Sequence, residues 1–216
     1  EFRMPVNTTH TQFKNNTERW MRIRDVLGGS DLVKDRGQIY LPKPGGHTDD
    51  DYAGYKIRAE FYPASQRTVD GLAGAIFRKD PIINIPDNQT ILIERTTLRG
   101  ADFTTFSKSV VREVLAMGRF GVLVDIIGEE KEPYCSGYVA ENIINWRYMY
   151  AGREPKLQLV VLREWVDRPV GDGYETELVE RFRVLELGTI EGVEEGPLIY
   201  QSTLWEATKS KAGKEE

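Results

Sequence analysis

The 216-residue chain has one cysteine, Cys135, and two histidines, His10 and His47. A single cysteine excludes an intrachain disulfide. Two histidines argue against a histidine-based catalytic site, because histidine is the side chain most often used as general acid or base. No run of 18 apolar residues is present, so the sequence predicts no transmembrane helix. The first ten residues lack the apolar stretch of a secretory signal, and we therefore expect none.

A basic excess is also lacking. Lysine and arginine total 29 against 34 acidic residues, which gives a net charge of −5. A general nucleic-acid-binding protein would show a basic surface, so this class is not favoured. Between Glu164 and Glu195, ten acidic residues stand against three basic ones, a local net charge of −7. This segment indicates solvated strand faces and hairpin loops, or an acidic surface that does not adhere to a passing polyanion.

Helical periodicity is confined to the first half of the chain. Apolar residues at helical spacing, with caps and breakers at the ends, predict four helices over Thr11–Leu27, Asp51–Phe61, Ser65–Arg78 and Asp102–Met117. Between the first two, Gln38–Pro42 is expected to be a short extended piece. Gly118 suits the left-handed position that follows a helix.

The pattern changes at Phe120. Phe120–Ile127 is a short apolar run rich in branched residues, which predicts a buried strand. Glycine-containing turns separate four further predicted strands over Asn145–Tyr150, Leu157–Val166, Tyr174–Leu187 and Pro197–Trp205. The fold class is therefore α+β, with N-terminal helices followed by a mainly antiparallel β meander.

Composition divides the chain into four expected parts. Residues 1–3 are interpreted as a cloning remnant ahead of Met4. Residues 4–118 are expected to be mainly helical and residues 119–207 rich in strands. Residues 208–216 are polar and without periodicity, as in a disordered or truncated linker.

Two groups of acidic residues raise the question of a metal site. His47 precedes Asp49, Asp50 and Asp51, and Asp125 interrupts the apolar run of a predicted strand. One hypothesis is a metal-dependent hydrolase or nuclease that uses His47, Asp49, Asp51 and Asp125. The simpler interpretation is an acidic loop that caps the next helix and a strand carboxylate bonded to nearby loop amides. We favour the simpler one, because the glycines and threonine around His47 offer little to orient metal ligands.

Other conspicuous residues have structural interpretations. Cys135 has no neighbour in sequence that would stabilise a thiolate, so an incidental or buried thiol is expected. Gly71 and Gly74 predict a close-packing notch in a helix. The four tryptophans are expected to be core anchors first and interface anchors second, at Trp20, Trp146, Trp165 and Trp205.

More specific information comes from nine short strings that follow one another along the chain. They are Trp20–Gly29, Tyr40–Pro42, Tyr52–Phe61, Thr68–Gly74, Ile76–Pro81, Glu113–Asp125, Ala140–Arg147, Val160–Glu164 and Arg181–Leu185. In this order they resemble one subfamily of the portal proteins of tailed bacteriophages, long catalogued as a domain of unknown function. The resemblance covers most of the chain from Trp20 to Trp205.

The resemblance implies a structural role. Portal subunits form a ring, usually of twelve, at one vertex of the capsid, and DNA is packaged and ejected through its channel. The implied partners are other portal subunits, major capsid and scaffolding proteins, the terminase large subunit and the head-completion adaptor. DNA would be met only in transit, and no membrane, cofactor, metal or catalytic residue is implied. The implied location is the virion, and the host cytoplasm during assembly.

Portals of this type usually continue into stem helices and a clip, for which no pattern is found here. We therefore expect the chain to be an N-terminal wing portion, with terminase and adaptor docking placed outside it. Charged residues beside the apolar stripes of the predicted helices are candidates for subunit contacts, namely Arg22, Arg24, Asp25, Arg58, Arg78 and Arg112. The alternatives are the metal-dependent hydrolase or nuclease and a small non-enzymatic interaction module.

Overall fold

A computed structural model describes residues 5–86, 89–127, 132–151, 153–189 and 198–206. Within these ranges helices come first and antiparallel strands follow, which confirms the α+β prediction. The helices are α1 Thr11–Leu27, α2 Ser30–Asp35, α3 Asp49–Arg58, α4 Ala64–Ile76, α5 Ile91–Glu94 and α6 Phe103–Met117. The strands are β1 Phe120–Ile127, β2 Glu132–Val139, β3 Ile143–Ala151, β4 Glu154–Val170, β5 Glu175–Gly188 and β6 Ile199–Glu206.

The chain divides into two compact units. Residues 16–140 form one, which we call the helical unit, and residues 1–15 with 141–216 form the other, the sheet unit. The division into parts at residues 3, 118 and 207 remains a prediction. No helix among the described residues is long and apolar enough to cross a membrane.

Local capping explains where the main helices begin and end. The Thr48 hydroxyl accepts from the Asp51 amide, and the Asp51 carboxylate accepts from the Thr48 amide, a capping box that starts α3. The Asp102 carboxylate accepts from the Thr105 amide at 2.6 Å and starts α6. Gly118 ends α6 with φ 72°, the left-handed conformation that the sequence predicted.

Helix α6 organises the helical unit, because α4, α5 and β1 all pack against it. The buried side chains of this unit include Trp20, Val33, Ala73 and Met117. The amide of Cys135 donates to the carbonyl of Thr96 at 2.7 Å and ties strand β2 to the segment after α5.

Three predictions for the helical unit are wrong or incomplete. Gln38–Pro42 is not extended, since Gly37–Ile39 forms a 3-10 turn. Helix α2 was missed because its six residues are too few to show a period, and it follows the Gly28-Gly29 pair that ends α1. Strand β2 was missed because Glu132–Val139 shows no clear alternation, and only its pairing with β1 makes it a strand.

Strand β1 lies where predicted, but it is not buried. Among the described residues it pairs with β2 alone, in a two-stranded sheet. Val122, Val124 and Ile126 share one face and are 49, 65 and 58% exposed. The apolar run therefore predicted the strand correctly and its surroundings incorrectly, because a continuous apolar run is also compatible with one uncovered face.

The glycine notch in α4 is also wrong. A Cβ atom built on Gly71 or Gly74 meets nothing within 4 Å. A close approach does occur at Gly137 in β2, where a Cβ would lie 2.6 Å from the Phe120 ring and 3.3 Å from the Phe106 ring.

The sheet unit is an antiparallel sheet with strand order β3-β4-β5-β6. Its buried residues lie mainly on β3, β4 and β5 and include Ile144, Val160, Val161, Leu162 and Phe182. Leu178, Phe182 and Leu185 have a spacing that would also fit a helix, but all three lie in β5.

The N-terminal segment is bound to this sheet. The His10 amide donates to the Ile144 carbonyl at 2.9 Å, and the Asn145 side chain donates to the Thr8 carbonyl at 3.0 Å. The His10 ring stacks on Trp146 with the ring centres 4.1 Å apart. A register shift between Ile143 and Asn145 leaves Ile144 out of the β3–β4 pairing, which explains why its carbonyl accepts from His10.

Strands β4 and β5 extend further than their neighbours. The pairing of β3 with β4 stops at Leu162, and the pairing of β6 with β5 stops at Arg181. Among the described residues, 165–170 and 175–180 therefore pair only with each other. We call residues 165–180 the arm, a two-stranded ribbon that projects from a four-stranded sheet.

The tryptophans divide between core and surface. Trp20 is buried, and Trp146 is half-buried under His10. Trp165 and Trp205 are 51 and 45% exposed, so the prediction of core anchors is wrong for these two. Their interpretation as interface anchors stays a prediction.

Candidate functional site

The acidic loop before α3 is a helix cap. The Asp51 carboxylate accepts from the Thr48 hydroxyl at 2.7 Å, and this hydrogen bond lowers the pKa of Asp51. Asp49 pairs with the Lys43 ammonium at 2.8 Å, and that hydrogen bond lowers the pKa of Asp49. His47 is exposed, and no metal-binding group of three or more candidate ligands occurs among the described residues.

Asp125 lies on β1 and is bonded within its own hairpin. Its carboxylate accepts from the Ile126 amide at 2.9 Å and from the Tyr134 hydroxyl at 3.3 Å. The interpretation as a bonded strand carboxylate is confirmed, although the partners are strand groups and not loop amides. Burial raises the pKa of the Cys135 thiol, which favours the protonated and less reactive form.

Three of the six candidates for subunit contacts have partners within the chain. Arg24 makes a bidentate pair with Glu113, with N–O distances of 2.6 and 2.8 Å, which ties α1 to α6. Arg112 pairs with Asp70 at 2.6 Å and ties α6 to α4. For these two arginines a role between subunits stays a prediction.

Asp25, the third, lies deep in the helical unit. It is 3% exposed and accepts from Arg36 Nε at 3.0 Å and from the Tyr40 hydroxyl at 2.8 Å. Burial, with the hydrogen bond to Asp25, raises the pKa of Tyr40. The arrangement joins α1 to the turn that follows α2, which is a structural task, and a role in subunit contacts also stays a prediction.

The other three candidates are exposed cations. Arg22, Arg58 and Arg78 are on the surface of the helical unit, and the described part of the chain supplies no ion pair to any of them. An exposed arginine without an intrachain partner keeps its five donors available to an anionic surface.

One group of cations and apolar side chains surrounds a cavity in the helical unit. An inner cavity of about 250 Å³ is lined mainly by apolar atoms of Val26, Val33, Leu41 and Phe61. A wider and more polar cavity of about 640 Å³ shares Lys34, Ala59, Glu60 and Phe61 with it and adds Ser30, Ile57 and Arg58. We call the two together the groove. Lys34 is already held in place at its wall, because its ammonium donates to the Ile57 carbonyl at 2.9 Å.

The acidic segment predicted between Glu164 and Glu195 is partly neutralised in the sheet. Glu164 accepts from Arg181 Nε at 2.9 Å and from Arg183 Nε at 2.6 Å, and Arg168 pairs with Glu206. The charge that remains is concentrated on the arm, where five acidic residues and one arginine give a net charge of −4. Glu191, Glu194 and Glu195 lie outside the described residues.

The arm also exposes apolar side chains. Trp165 is 51%, Leu178 59% and Tyr174 92% exposed. Trp165 and Leu178 lie on the same face, since Trp165 is opposite Glu180 and Asp167 is opposite Leu178 in the register. Hydrophobic and acidic groups are therefore presented together on a projecting element, an arrangement typical of a binding surface.

Sequence reasoning missed both the arm and the groove. Gly171, Asp172 and Gly173 predict a turn, but turn residues do not show that the strands on either side are longer than their neighbours. Only the pairing register shows that β4 and β5 extend beyond the ends of β3 and β6. The groove brings together residues 26–61 from α1, α2 and the segments around α3, which no single period in the sequence reveals.

The sequence matches no protein-family model and no curated protein.

Proposed function

We propose that this chain is the wing region of a structural subunit of a phage portal ring at the capsid vertex, through which DNA is packaged and ejected. The observation that carries the proposal is the amount of apolar surface gathered on exposed faces. Single exposed apolar side chains are normal on a monomer, but grouped ones mark surfaces that other molecules cover.

Such groups occur in both units. In the helical unit Val122, Val124 and Ile126 form an exposed apolar face of the β1–β2 hairpin. In the sheet unit Trp165 and Trp205 lie on one face of the sheet, on either side of β5. A subunit of a ring needs apolar surfaces of this kind to contact its neighbours.

The ordered series of strings from Trp20 to Trp205 supports the portal assignment over other assembly proteins. The proposed partners are other copies of the subunit, major capsid and scaffolding proteins, and the terminase large subunit and head-completion adaptor through regions outside this chain. No specific observation favours the hydrolase or nuclease, because His47, Asp49, Asp51 and Asp125 are each bonded or exposed without forming a common site among the described residues.

Immunogold labelling of assembled particles tests the proposal. Antibodies raised against this chain should mark one vertex per particle, and antibodies pre-absorbed with the chain should mark none. Removal of the gene should yield particles without packaged DNA. Gold spread over the whole shell, or particles that never carry the protein, would contradict the portal role. Those outcomes would favour the small non-enzymatic interaction module.

A further inference from the structure

The tip of the arm is a tight turn that is followed by one exposed aromatic side chain. Gly171 and Gly173 have φ values of 60° and 90°, which residues with a side chain rarely adopt, so these glycines permit the tight turn. The Gly173 amide donates to the Val170 carbonyl at 3.1 Å, and the Tyr174 amide donates to the Asp172 carboxylate at 3.3 Å. Tyr174 follows directly and is 92% exposed.

A tyrosine in this position has no structural task within the part of the chain that is described. An isolated two-stranded ribbon is marginally stable in water, and an almost fully exposed aromatic ring at its tip adds nothing to its stability. The ring would gain free energy only when it leaves water, and burial of an aromatic side chain removes roughly 150–250 Å² from solvent.

The groove of the helical unit has the size and chemistry for this ring. A cavity of about 150 Å³ is known to hold a benzene molecule, and the inner cavity measures about 250 Å³ with Val26, Val33 and Phe61 in its wall. The outer cavity contributes two cations, Lys34 and Arg58, against one acid, Glu60.

We propose that Tyr174 at the tip of the arm of one copy inserts into the groove of a second copy of this chain. Charge complementarity selects the occupant. Asp172 and Glu175 flank the ring on a tip that carries no base, and the groove has an excess of cations at its mouth. Opposite charges at the rim favour docking in one orientation and disfavour an approach by a basic partner.

Arm and groove are different surfaces, so the contact can be repeated head to tail. Repeated around a rotation axis that closes, such a contact generates a ring, whereas two copies that exchange arms reciprocally stop at a dimer. The choice of the ring rests on the proposed function, and a cross-linked ladder beyond dimers distinguishes it from the reciprocal dimer.

Cysteine cross-linking of the full chain tests the contact. The substitutions that it needs leave all charged residues and the Tyr174 ring unchanged. In a Cys135→Ala background, Thr176→Cys on the arm is combined with Ser30→Cys at the groove. A short bis-maleimide should yield a ladder of dimers, trimers and larger species. When the two single-cysteine proteins are mixed, cross-linking between them should stop at dimers.

The matched control moves the arm cysteine to another exposed threonine, Thr203→Cys on β6, and should yield no ladder. Tyr174→Ala in the cross-linkable protein should reduce the ladder at least about tenfold, as expected for an aromatic anchor. An internally cross-linked monomer migrates faster than the unmodified chain. If the double-cysteine protein gives only this species, and the mixture of single-cysteine proteins gives no dimers, the contact is intramolecular and the proposal is overturned. Equal ladders from Thr176→Cys and Thr203→Cys would also overturn it, since they would report random collision.

A charge exchange supplies a second, independent readout. Arg58→Glu should reduce the ladder about tenfold, Glu175→Arg added to it should restore the yield, and the exposed control Lys79→Glu should change nothing. Failure of Glu175→Arg to restore the yield would contradict the proposed orientation. If antibodies mark one vertex and the ladder is absent, the arm contact alone is wrong. A ladder without vertex labelling would contradict the portal role and leave the contact in place.

Discussion

Asp25 is the buried carboxylate on which α1 and the turn after α2 converge. Arg36 and Tyr40 donate to the same oxygen, Oδ2, and a buried carboxylate without such donors would cost several kcal/mol to desolvate. The stabilisation therefore depends on a charged acceptor, which a neutral amide does not supply.

Asp25→Asn should lower the free energy of unfolding by about 1–3 kcal/mol, because a neutral amide oxygen accepts more weakly from Tyr40 and from the Arg36 guanidinium than a carboxylate does. Urea denaturation measures the change. The matched control Asp31→Asn lies on the exposed surface of α2 and should stay within about 0.5 kcal/mol of the parent. An unchanged stability of Asp25→Asn would show that its hydrogen bonds are exchangeable with water.

The capping box of α3 predicts a pH effect with a definite sign. The pKa of Asp51 is lower in the folded protein than its unfolded value of about 3.9, because the charged form accepts from the Thr48 hydroxyl. The stabilisation is therefore complete above the unfolded value and is lost as the pH falls through the folded value.

Thr48→Val should raise the pKa of Asp51 towards its unfolded value, since the variant keeps the backbone donor and loses the hydroxyl. A carbon-detected NMR titration of the side-chain carboxyl measures it. Asp102 is the internal control, because a different residue, Thr105, lowers its pKa. A joint shift of both aspartates would point to a change in the whole helical unit and not in this cap.

At the scale of elements, glycines have opposite tasks in β2 and α4. Gly137→Ala would place a Cβ 2.6 Å from the Phe120 ring and should destabilise the protein by about 1–3 kcal/mol through overpacking. Gly74→Ala enters open space in a helix and should stabilise it by about 0.5–1 kcal/mol. Thermal unfolding of both variants tests the contrast, and equal effects would contradict it.

The stack of His10 on Trp146 is one of the interactions that hold the N-terminal segment against β3, so its loss should weaken this attachment. His10→Ala removes the stack on Trp146, worth about 0.5–1.5 kcal/mol, and the acceptor for the Gln12 amide. Faster hydrogen exchange or proteolysis should then be confined to residues 5–12. Lys14→Ala is the matched control, because an exposed side chain is lost while the amide that donates to the His10 carbonyl remains. Protection unchanged in His10→Ala would show that the backbone bond to Ile144 suffices.

At the scale of the whole molecule, charge predicts weak binding to DNA. The net charge is −5, and the arm alone contributes −4. A portal should not grip the phosphates of DNA that slides past it, since each neutralised phosphate adds a salt-dependent term to the affinity. Gel-shift titration at about 0.15 M salt, where the Debye length is about 8 Å, should show no sub-micromolar binding. Tight binding at that salt concentration would favour the nuclease hypothesis.

Elements whose information is local could be predicted from the sequence. Thr11–Leu27 was predicted with its observed ends, because periodicity is a property of adjacent residues. Helix α6 was predicted from Asp102 to Met117 with Gly118 after it, and it differs only in that Asp102 is its cap. The order of helices before an antiparallel meander followed from the same local signals. The acidic loop before α3 was likewise correctly interpreted as a cap, since a Thr48–Asp51 spacing carries its own hydrogen bonds.

Features that depend on residues far apart in sequence could not be predicted from local patterns. An apolar run predicts a strand but not which neighbours cover it, so β1 was expected to be buried and is half-exposed. Trp165 and Trp205 were expected in the core, yet β3 stops pairing before it reaches Trp165, and Trp205 lies on β6, at the edge of the described sheet. Contacts between distant segments produce the ion pairs of Arg24 and Arg112, the arm and the groove. The periodicity of neighbouring residues carries no information about the energies of such contacts.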